Sequence, residues 1–371
     1  MKILVSGAGI AGLACAHGLG ARGHAVTVVE HAPRLRLAGT PVDIRGDALA
    51  AADRMGLLGR IRERRLRMSE LSRFVDADGA PVARVPVART GDSPDDVELL
   101  RGDLVRLLAD ALPDTAAVRF DDSVEALADD GDGVDARFRS GGSDRYDLVV
   151  GADGQHSQVR GLVFGPESGY LRHLGVYIAL ADLPGAAPSD EVNLVHNVPG
   201  MMAGVFRYGD RTVAVLQFRS GPLDYDHRDL EAQKRILAEA FAGQRSWRIP
   251  ELVEAALADP ALFFDSAGQI RMPGWHRGRV VLVGDAGYAP AFLSGRGASL
   301  ALTGAQFLAE ELERCGGDPT AAFERYTDRQ RPYVKRAQDR VHASRDRLVP
   351  ATWADIAARN DALRAAETAA R

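Results

Sequence analysis

Two glycine loops and a few carboxylates are the residues of this chain with the types and spacing for chemistry. Gly7-Ala8-Gly9-Ile10-Ala11-Gly12 sets three glycines as G-x-G-x-x-G, and Glu30 follows near the end of the next apolar run. At such a site the first glycine permits a tight turn and the second lets the backbone approach a diphosphate. The third lets the following helix pack close to its sheet. Ile10 and Ala11 would open that helix, where free N–H groups and the positive end of the dipole suit an anion. Glu30 stands where a carboxylate accepts a ribose hydroxyl, so the stretch is built to bind a dinucleotide. Arg36, in the loop after Glu30, can point toward the same phosphates. Further on, Gly151-Ala152-Asp153-Gly154 and Gly284-Asp285-Ala286 each close an apolar run with an acid, and Gly295-Arg296-Gly297-Ala298 precedes another helical stretch.

These residues need strands and helices to hold them. Lys2 to Ser6 and Ala25 to Val29 read as buried strands flanking a helix marked by Leu13, Ala16 and Leu19. Residues 31 to 46 read as a loop containing Ala38-Gly39, and Asp47 to Met68 as helical. Phe74 to Val87 reads as a hairpin around Asp78-Gly79, Thr90 to Asp96 as a polar loop, and Leu99 as the opening of a helix that runs to Leu112. Strand-like segments follow at Ala117 to Phe120, Val134 to Phe138 and Asp147 to Val150. From Gly175 to Phe218 the texture becomes a four-strand meander, with turns at Val198-Pro199-Gly200 and Gly209-Asp210. Leu230 to Ala242 and Pro250 to Ala258 are helical, Val280 to Val283 is a strand, and helices follow at Ser299 to Leu312, Thr320 to Arg345 and beyond Trp353.

Composition excludes several classes of function. A chain of 371 residues with 46% apolar residues is ordinary for one or two globular domains. Its formal net charge of −5 offers no electrostatic case for nucleic acid or an anionic membrane. Two cysteines, Cys15 and Cys315, make no disulfide framework, and no His/Cys cluster has metal-ligand spacing. The apolar N-terminus carries nucleotide-loop glycines rather than a cleavage site, and no run reaches the ~18 apolar residues of a membrane span. A cytoplasmic protein is expected, and a monomer, since the charged helix from Thr320 to Arg345 reads as solvated.

Three stretches in order resemble the single-component flavoprotein aromatic hydroxylases, the FAD-dependent monooxygenases, over Lys2 to about Arg340. They are the first glycine loop with Glu30, Gly151-Ala152-Asp153-Gly154-Gln155-His156-Ser157-Gln158-Val159-Arg160, and Gly284-Asp285-Ala286-Gly287-Tyr288 with Gly295-Arg296-Gly297-Ala298-Ser299-Leu300. The resemblance implies an α/β fold: a Rossmann-like FAD domain, a second, mainly antiparallel substrate sheet, and C-terminal helices. The expected division is 1–72, 98–172 and 272–345 for FAD, 73–97 and 173–271 for substrate, and 346–371 as a helical tail. It further implies that Arg101 approaches the FAD diphosphate and that Asp153 helps hold the pyrophosphate region and serves nicotinamide nucleotide use. Asp285 would take a ribityl hydroxyl, and the loop Gly295–Ala298 would face the N1–C2=O edge of the flavin. The turn-forming reading of Asp153-Gly154 stays open beside this.

The implied reaction consumes NAD(P)H and O2 and inserts one oxygen atom into an aromatic or polycyclic, phenolic or polyketide-like molecule through a flavin C4a-hydroperoxide. No protein nucleophile is required, because the cofactor carries the chemistry. The substrate sheet is expected to roof the flavin with Met201, Met202, Phe206 and Gln217, joined by Phe292 and by Arg45 of the first domain. Tyr288, Gly287, Phe292 and Ser299 depart from the family's usual residues and leave the pocket's shape open. A halogenase would need a Trp-x-Trp motif and a lysine, but only Trp247-Arg248-Ile249-Pro250 matches and no lysine lies between Lys2 and Lys234. A short-chain dehydrogenase would need Tyr and Lys four apart, which neither Lys234 nor Lys335 provides. A flavin reductase without oxygen insertion and a non-catalytic FAD scaffold remain as alternatives.

Overall fold

A computed structural model describes residues 1–37, 40–66, 70–86, 93–185, 192–208 and 211–369. The expected Ala38-Gly39 loop segment, the start of the polar loop at Thr90 and the turn at Gly209-Asp210 lie outside them. The chain divides into two compact units: Met1–Arg65, Asp95–Arg172 and Gly268–Arg340 form the first, and Leu66–Pro94, His173–Ala267 and Val341–Arg371 the second.

The first unit is built on a six-stranded sheet. Its central strand, Lys2–Ser6, pairs in parallel with Ala25–Val29 on one side and Leu148–Gly151 on the other. Ala116–Arg119 and Val280–Leu282 extend the parallel array outward, and the short antiparallel strand His276–Arg277 ends it. Ile3, Leu4, Val5, Leu148 and Val149 are fully buried, as a sheet covered on both faces requires. The helices Ile10–Gly20 and Gly297–Arg314 pack closely, with Gly18 so near Ala309 that an added Cβ would come within 3.2 Å of that methyl. A separate three-stranded sheet joins Val124–Asp129, Val134–Phe138 and Ser143–Tyr146.

One small element reads differently in the structure than in the sequence. Pro41–Ile44 and Val97–Leu100 pair as a two-stranded antiparallel ribbon, where a loop and a helix opening were expected; the helix begins at Arg101 instead. Four-residue strands carry too little periodicity to stand out, and the ribbon exists because Ile44, Val97 and Leu99 bury themselves in the core.

The second unit carries a seven-stranded sheet in the order Phe263–Ile270, Leu171–Asp182, Arg211–Arg219, Met201–Tyr208, Asn193–Val198, Glu70–Val75, Pro81–Pro86. All its pairings described here are antiparallel except that between Asn193–Val198 and Glu70–Val75. The expected hairpin turns at Asp76, whose Oδ1 accepts the N–H groups of Asp78 and Ala80. Helices Leu230–Ala240 and Ile249–Ala258 cover one face over an aromatic core of Tyr177, Phe218, Phe241 and Phe264.

The C-terminal residues, expected as a separate tail, cluster with this second unit. The helix Trp353–Thr368 starts at a Thr352–Asp355 capping box. It is pinned by Arg359, whose guanidinium lies 3.7 Å from the centre of the Phe74 ring and donates to Asn197 Oδ1 at 2.6 Å. Among the described residues no helix is long and apolar enough to cross a membrane.

Candidate cofactor site

The three glycine-acid motifs, far apart in sequence, interlock at the ends of neighbouring parallel strands of the first unit. Gly7, at φ +103°, makes the turn out of Lys2–Ser6, and its N–H donates to Val29 O at 2.7 Å. A Cβ there would sit 2.6 Å from Ala152 O and 2.9 Å from Asp153 Cα, so the first motif rests on the second. A Cβ at Gly284 would sit 2.7 Å from the Ala11 methyl, which seats the third motif on the first helix. Arg160, fully buried, donates to Ala286 O (3.0 Å), Gln155 O (2.7 Å) and Glu167 Oε2 (2.6 Å), and so ties the third motif to the second.

The glycines of the first loop do different work. Gly12 is required by the protein itself, because a Cβ there would stand 1.8 Å from Gly7 O. Gly9 is not: a Cβ there would meet nothing within 4 Å, and its φ of −79° suits any residue. Open space above a backbone that heads a helix is what a diphosphate occupies. The helix Ile10–Gly20 has no side-chain cap at this end, and neither has Gly297–Arg314, whose first turn holds Ala298 behind the Arg296 cap position.

Charges gather around this loop. Glu30 is buried and accepts the N–H groups of Ala8 (2.8 Å, Oε2) and Ala32 (3.0 Å, Oε1). Burial alone would raise its pKa, but the His31 hydrogen bond, the two N–H groups and the Arg36 charge outweigh it and hold the carboxyl down to about 2. It is therefore ionised, and while Ala32 and His31 occupy Oε1, Oε2 keeps a lone pair for a hydroxyl. Arg36 is exposed, and its carbonyl accepts from Arg101 Nη1 at 2.8 Å. Arg101 is lowered by burial and by Arg36, against Asp285 and Glu30, so one guanidinium feels the acids of both the first and third motifs. Asp285 is exposed at the end of the buried Val280–Leu282 strand, and a Cβ at Gly297 would lie 4.0 Å from its Oδ1. An ionised acid, an arginine, an exposed acid, an open glycine and two uncapped helix starts fit an adenine-flavin dinucleotide.

Asp153 behaves otherwise. It is half-buried, and its oxygens accept from Ser157 Oγ (2.5 Å) and Val159 N (3.0 Å), so the carboxyl shapes its own loop at the start of the Gln158–Phe164 helix. Burial raises its pKa despite those bonds. Tyr288, a departure from the family pattern, is core: its hydroxyl meets Tyr326 Oη at 3.0 Å and its ring centre lies 4.5 Å from that of Trp275. Gly304 makes room for it, since a Cβ there would reach within 2.0 Å of the Tyr288 hydroxyl.

The substrate candidates divide. In the second unit, Met202 and Gln217 are cross-strand partners and Phe206 shares their face by alternation. Gln217 Oε1 is buried with no hydrogen-bond partner among the described residues. Met201 has to be corrected: as Met202's neighbour it points to the opposite face and packs with Phe218 in the helix-covered core. In the first unit, Phe292 is 38% exposed, and Arg45 Nη2 lies 2.9 Å from Asp43 Oδ2. Residues missed from the sequence are Arg160 as a tie, Ser299, which accepts Arg45 N–H (3.0 Å) and donates to Asp43 O (2.7 Å), and the pair Asp43 and Glu98. The alternation Val42-Asp43-Ile44-Arg45 against Val97-Glu98-Leu99 was the available signal.

Comparison with known proteins points to the same cofactor. The family model described as "FAD binding domain" matches residues 1–341. Uncharacterized protein Rv1260 of Mycobacterium tuberculosis (strain ATCC 25618 / H37Rv) is 42% identical over 342 residues, covering 91% of each chain. A flavin-dependent monooxygenase of Legionella longbeachae serogroup 1 (strain NSW150) is 35% identical, covering 90% of this chain and 86% of its own. The crystal structure of tetracycline destructase Tet(51) superposes with a TM-score of 0.86 at 32% identity, over 98% of this chain and 95% of that one.

Proposed function

The chain belongs to the FAD-binding-domain family and is an FAD-dependent monooxygenase, and we propose that it uses NAD(P)H and O2 to oxygenate an aromatic or polycyclic small molecule. The observation that carries this reading is the interlock of three motifs at the ends of adjacent strands, on Gly7, Ala11, Ala152 and Ala286. When bound, FAD supplies the redox chemistry and the activation of oxygen.

The chain's own residues grip and orient. The N–H groups from Gly9 to Gly12 and the helix dipole hold the diphosphate, with Arg101 neutralising it and Arg36 at its edge. Glu30 takes ribose hydroxyls, and Asp285 takes a hydroxyl of the ribityl chain. The start of the Gly297–Arg314 helix favours negative charge on the N1–C2=O edge. Met202, Phe206 and Gln217 are the substrate contacts of the second sheet in this reading, since an apolar face with one unsatisfied amide oxygen suits a flat ring system bearing a donor. The likeness to a tetracycline destructase supports a polycyclic substrate class without selecting one member.

The test is to mix the FAD-loaded protein anaerobically with NADPH, with and without candidate phenols and polycyclics, and then admit oxygen. Bleaching followed by a transient near-ultraviolet band and an oxygenated product is expected. Bleaching with neither transient nor oxygenated product would identify a reductase, and no bleaching with any candidate a cofactor scaffold.

A further inference from the structure

Two buried glutamines of the first unit, Gln269 and Gln338, clasp the backbone that leads into the second glycine loop. Gln269 Nε2 donates to Pro290 O (3.2 Å) and to Gln338 O (2.8 Å). Gln338 Nε2 donates to Ile270 O (2.9 Å) and to Ala289 O (3.2 Å). A carbonyl only accepts, so both amides are fixed in these orientations and every hydrogen of their NH2 groups is used. Ile270 N–H adds a further bond to Ala289 O at 3.0 Å. Arg271 Nε donates to Gln269 Oε1 at 2.8 Å, so a cation holds the far side of that amide. Gln338 lies in the last turn of the helix Pro319–Asp339, where carbonyls lack partners within the helix, and Gln269 supplies one.

The clasp ends where the backbone is strained. Ala291, the next residue, is buried at φ +74° and ψ +150°, a conformation that glycine adopts freely and other residues rarely. Its own carbonyl accepts Ser294 N–H at 3.1 Å, which closes the turn Phe292–Ser294. The chain is thus pinned on both sides, at Ala289 and Pro290 by the amides and at Phe292–Ser294 by its turn, and Ala291 absorbs the difference. Beyond lie Gly295 at φ +60°, Arg296, whose N–H donates to Ser294 Oγ at 3.0 Å, and the uncapped start of the Gly297–Arg314 helix. Strain of this kind persists only where surrounding bonds over-determine it, and it collects at ligand clamps.

Resting on the FAD reading above, we propose that Gln269 and Gln338 are positioning residues: they hold Ala291 in its strained conformation and so set the loop Gly295–Ala298 against the N1–C2=O edge of the flavin. The N–H groups at the start of the Gly297–Arg314 helix favour the negative charge that reduction leaves at that edge. A loop held in place therefore prefers reduced flavin to oxidised. A loop released from the clasp relaxes at Ala291 and loses that preference, so the two amides tune the reduction potential through the loop.

A double-mutant cycle tests the clasp, and potentiometry tests its effect. In cofactor-free protein, Ala291→Gly is expected to raise the melting temperature, because glycine takes the same turn without strain. Gln338→Met is expected to lower it, and to lower it less in the Ala291→Gly background. In FAD-loaded protein the flavin midpoint potential is expected to fall in Gln338→Met and in Gln269→Met by about 30 mV, a tenfold loss of preference for the two-electron reduced form. Ala291→Gly alone is expected to leave the potential at the parent value, and added to Gln338→Met to return it toward that value. A glutamine variant that fails to fold or to hold FAD counts for the assignment if Ala291→Gly restores it and against if it does not. A lower melting temperature in Ala291→Gly, additive losses in the cycle, or a parent potential in both FAD-loaded glutamine variants overturns the assignment. A parent protein that takes up no FAD strikes the cofactor reading instead, while the cycle in cofactor-free protein still reads the clasp.

Discussion

At the scale of single residues, the first glycine loop separates what the protein needs from what its ligand needs. Gly12→Ala drives a methyl into the Gly7 carbonyl and is expected to cost roughly 1–3 kcal/mol in the cofactor-free protein, seen as a lower melting temperature. Gly9→Ala should leave that melting temperature unchanged, since its methyl meets no atom of the described residues within 4 Å, and should lower FAD retention on gel filtration. Glu30 gives a pH signature. Its pKa is held at about 2, below the usual carboxylate value, so the stabilisation it supplies is present above that usual value and is lost as pH falls toward 2. The stability gap between the parent and Glu30→Gln, followed by denaturant melts, should be full at neutral pH and close through that acid window. The glycine spacing and Glu30 were legible in the sequence because each needs one residue type at one place. Glu98 was not, because a carboxyl beside a polar loop looks like any solvated acid until a strand is laid opposite it.

At the scale of elements, long periodic segments were readable and short ones were not. The strands beside the first helix show in sequence as continuous apolar runs next to the glycine loop and Glu30, and the meander through Arg211–Arg219 shows by its longer β-rich segments. The ribbon, and the strands Val124–Asp129 and Ser143–Tyr146, are short or carry exposed polar residues, and tertiary pairing decides them. Arg160 belongs to this scale, since it acts by joining the helix Gln158–Phe164 to the turn Asp285–Tyr288. Arg160→Met removes a buried cation that bonds two carbonyls and Glu167, a loss of about 2 kcal/mol for hydrogen bonds to a charged group. The expected outcome is a lower melting temperature together with faster FAD release, measured by the rise of free-flavin fluorescence.

At the scale of the whole molecule, no stretch of the sequence announced that the last helix completes the second unit. Its attachment depends on Arg359 meeting Phe74 and Asn197, residues far away in the chain whose roles appear only once the sheet is built. The six-stranded sheet has a similar property. Its central strand is made from residues 2–6, yet Leu148–Gly151 beside it and Val280–Leu282 beyond come from much later. A ribosome delivering this polypeptide therefore cannot finish the nucleotide cradle until the entire intervening sheet has emerged. Flavin capture must wait until Val280–Leu282 has emerged and paired, and a truncated product ending before Val280 would leave the exit tunnel without colour.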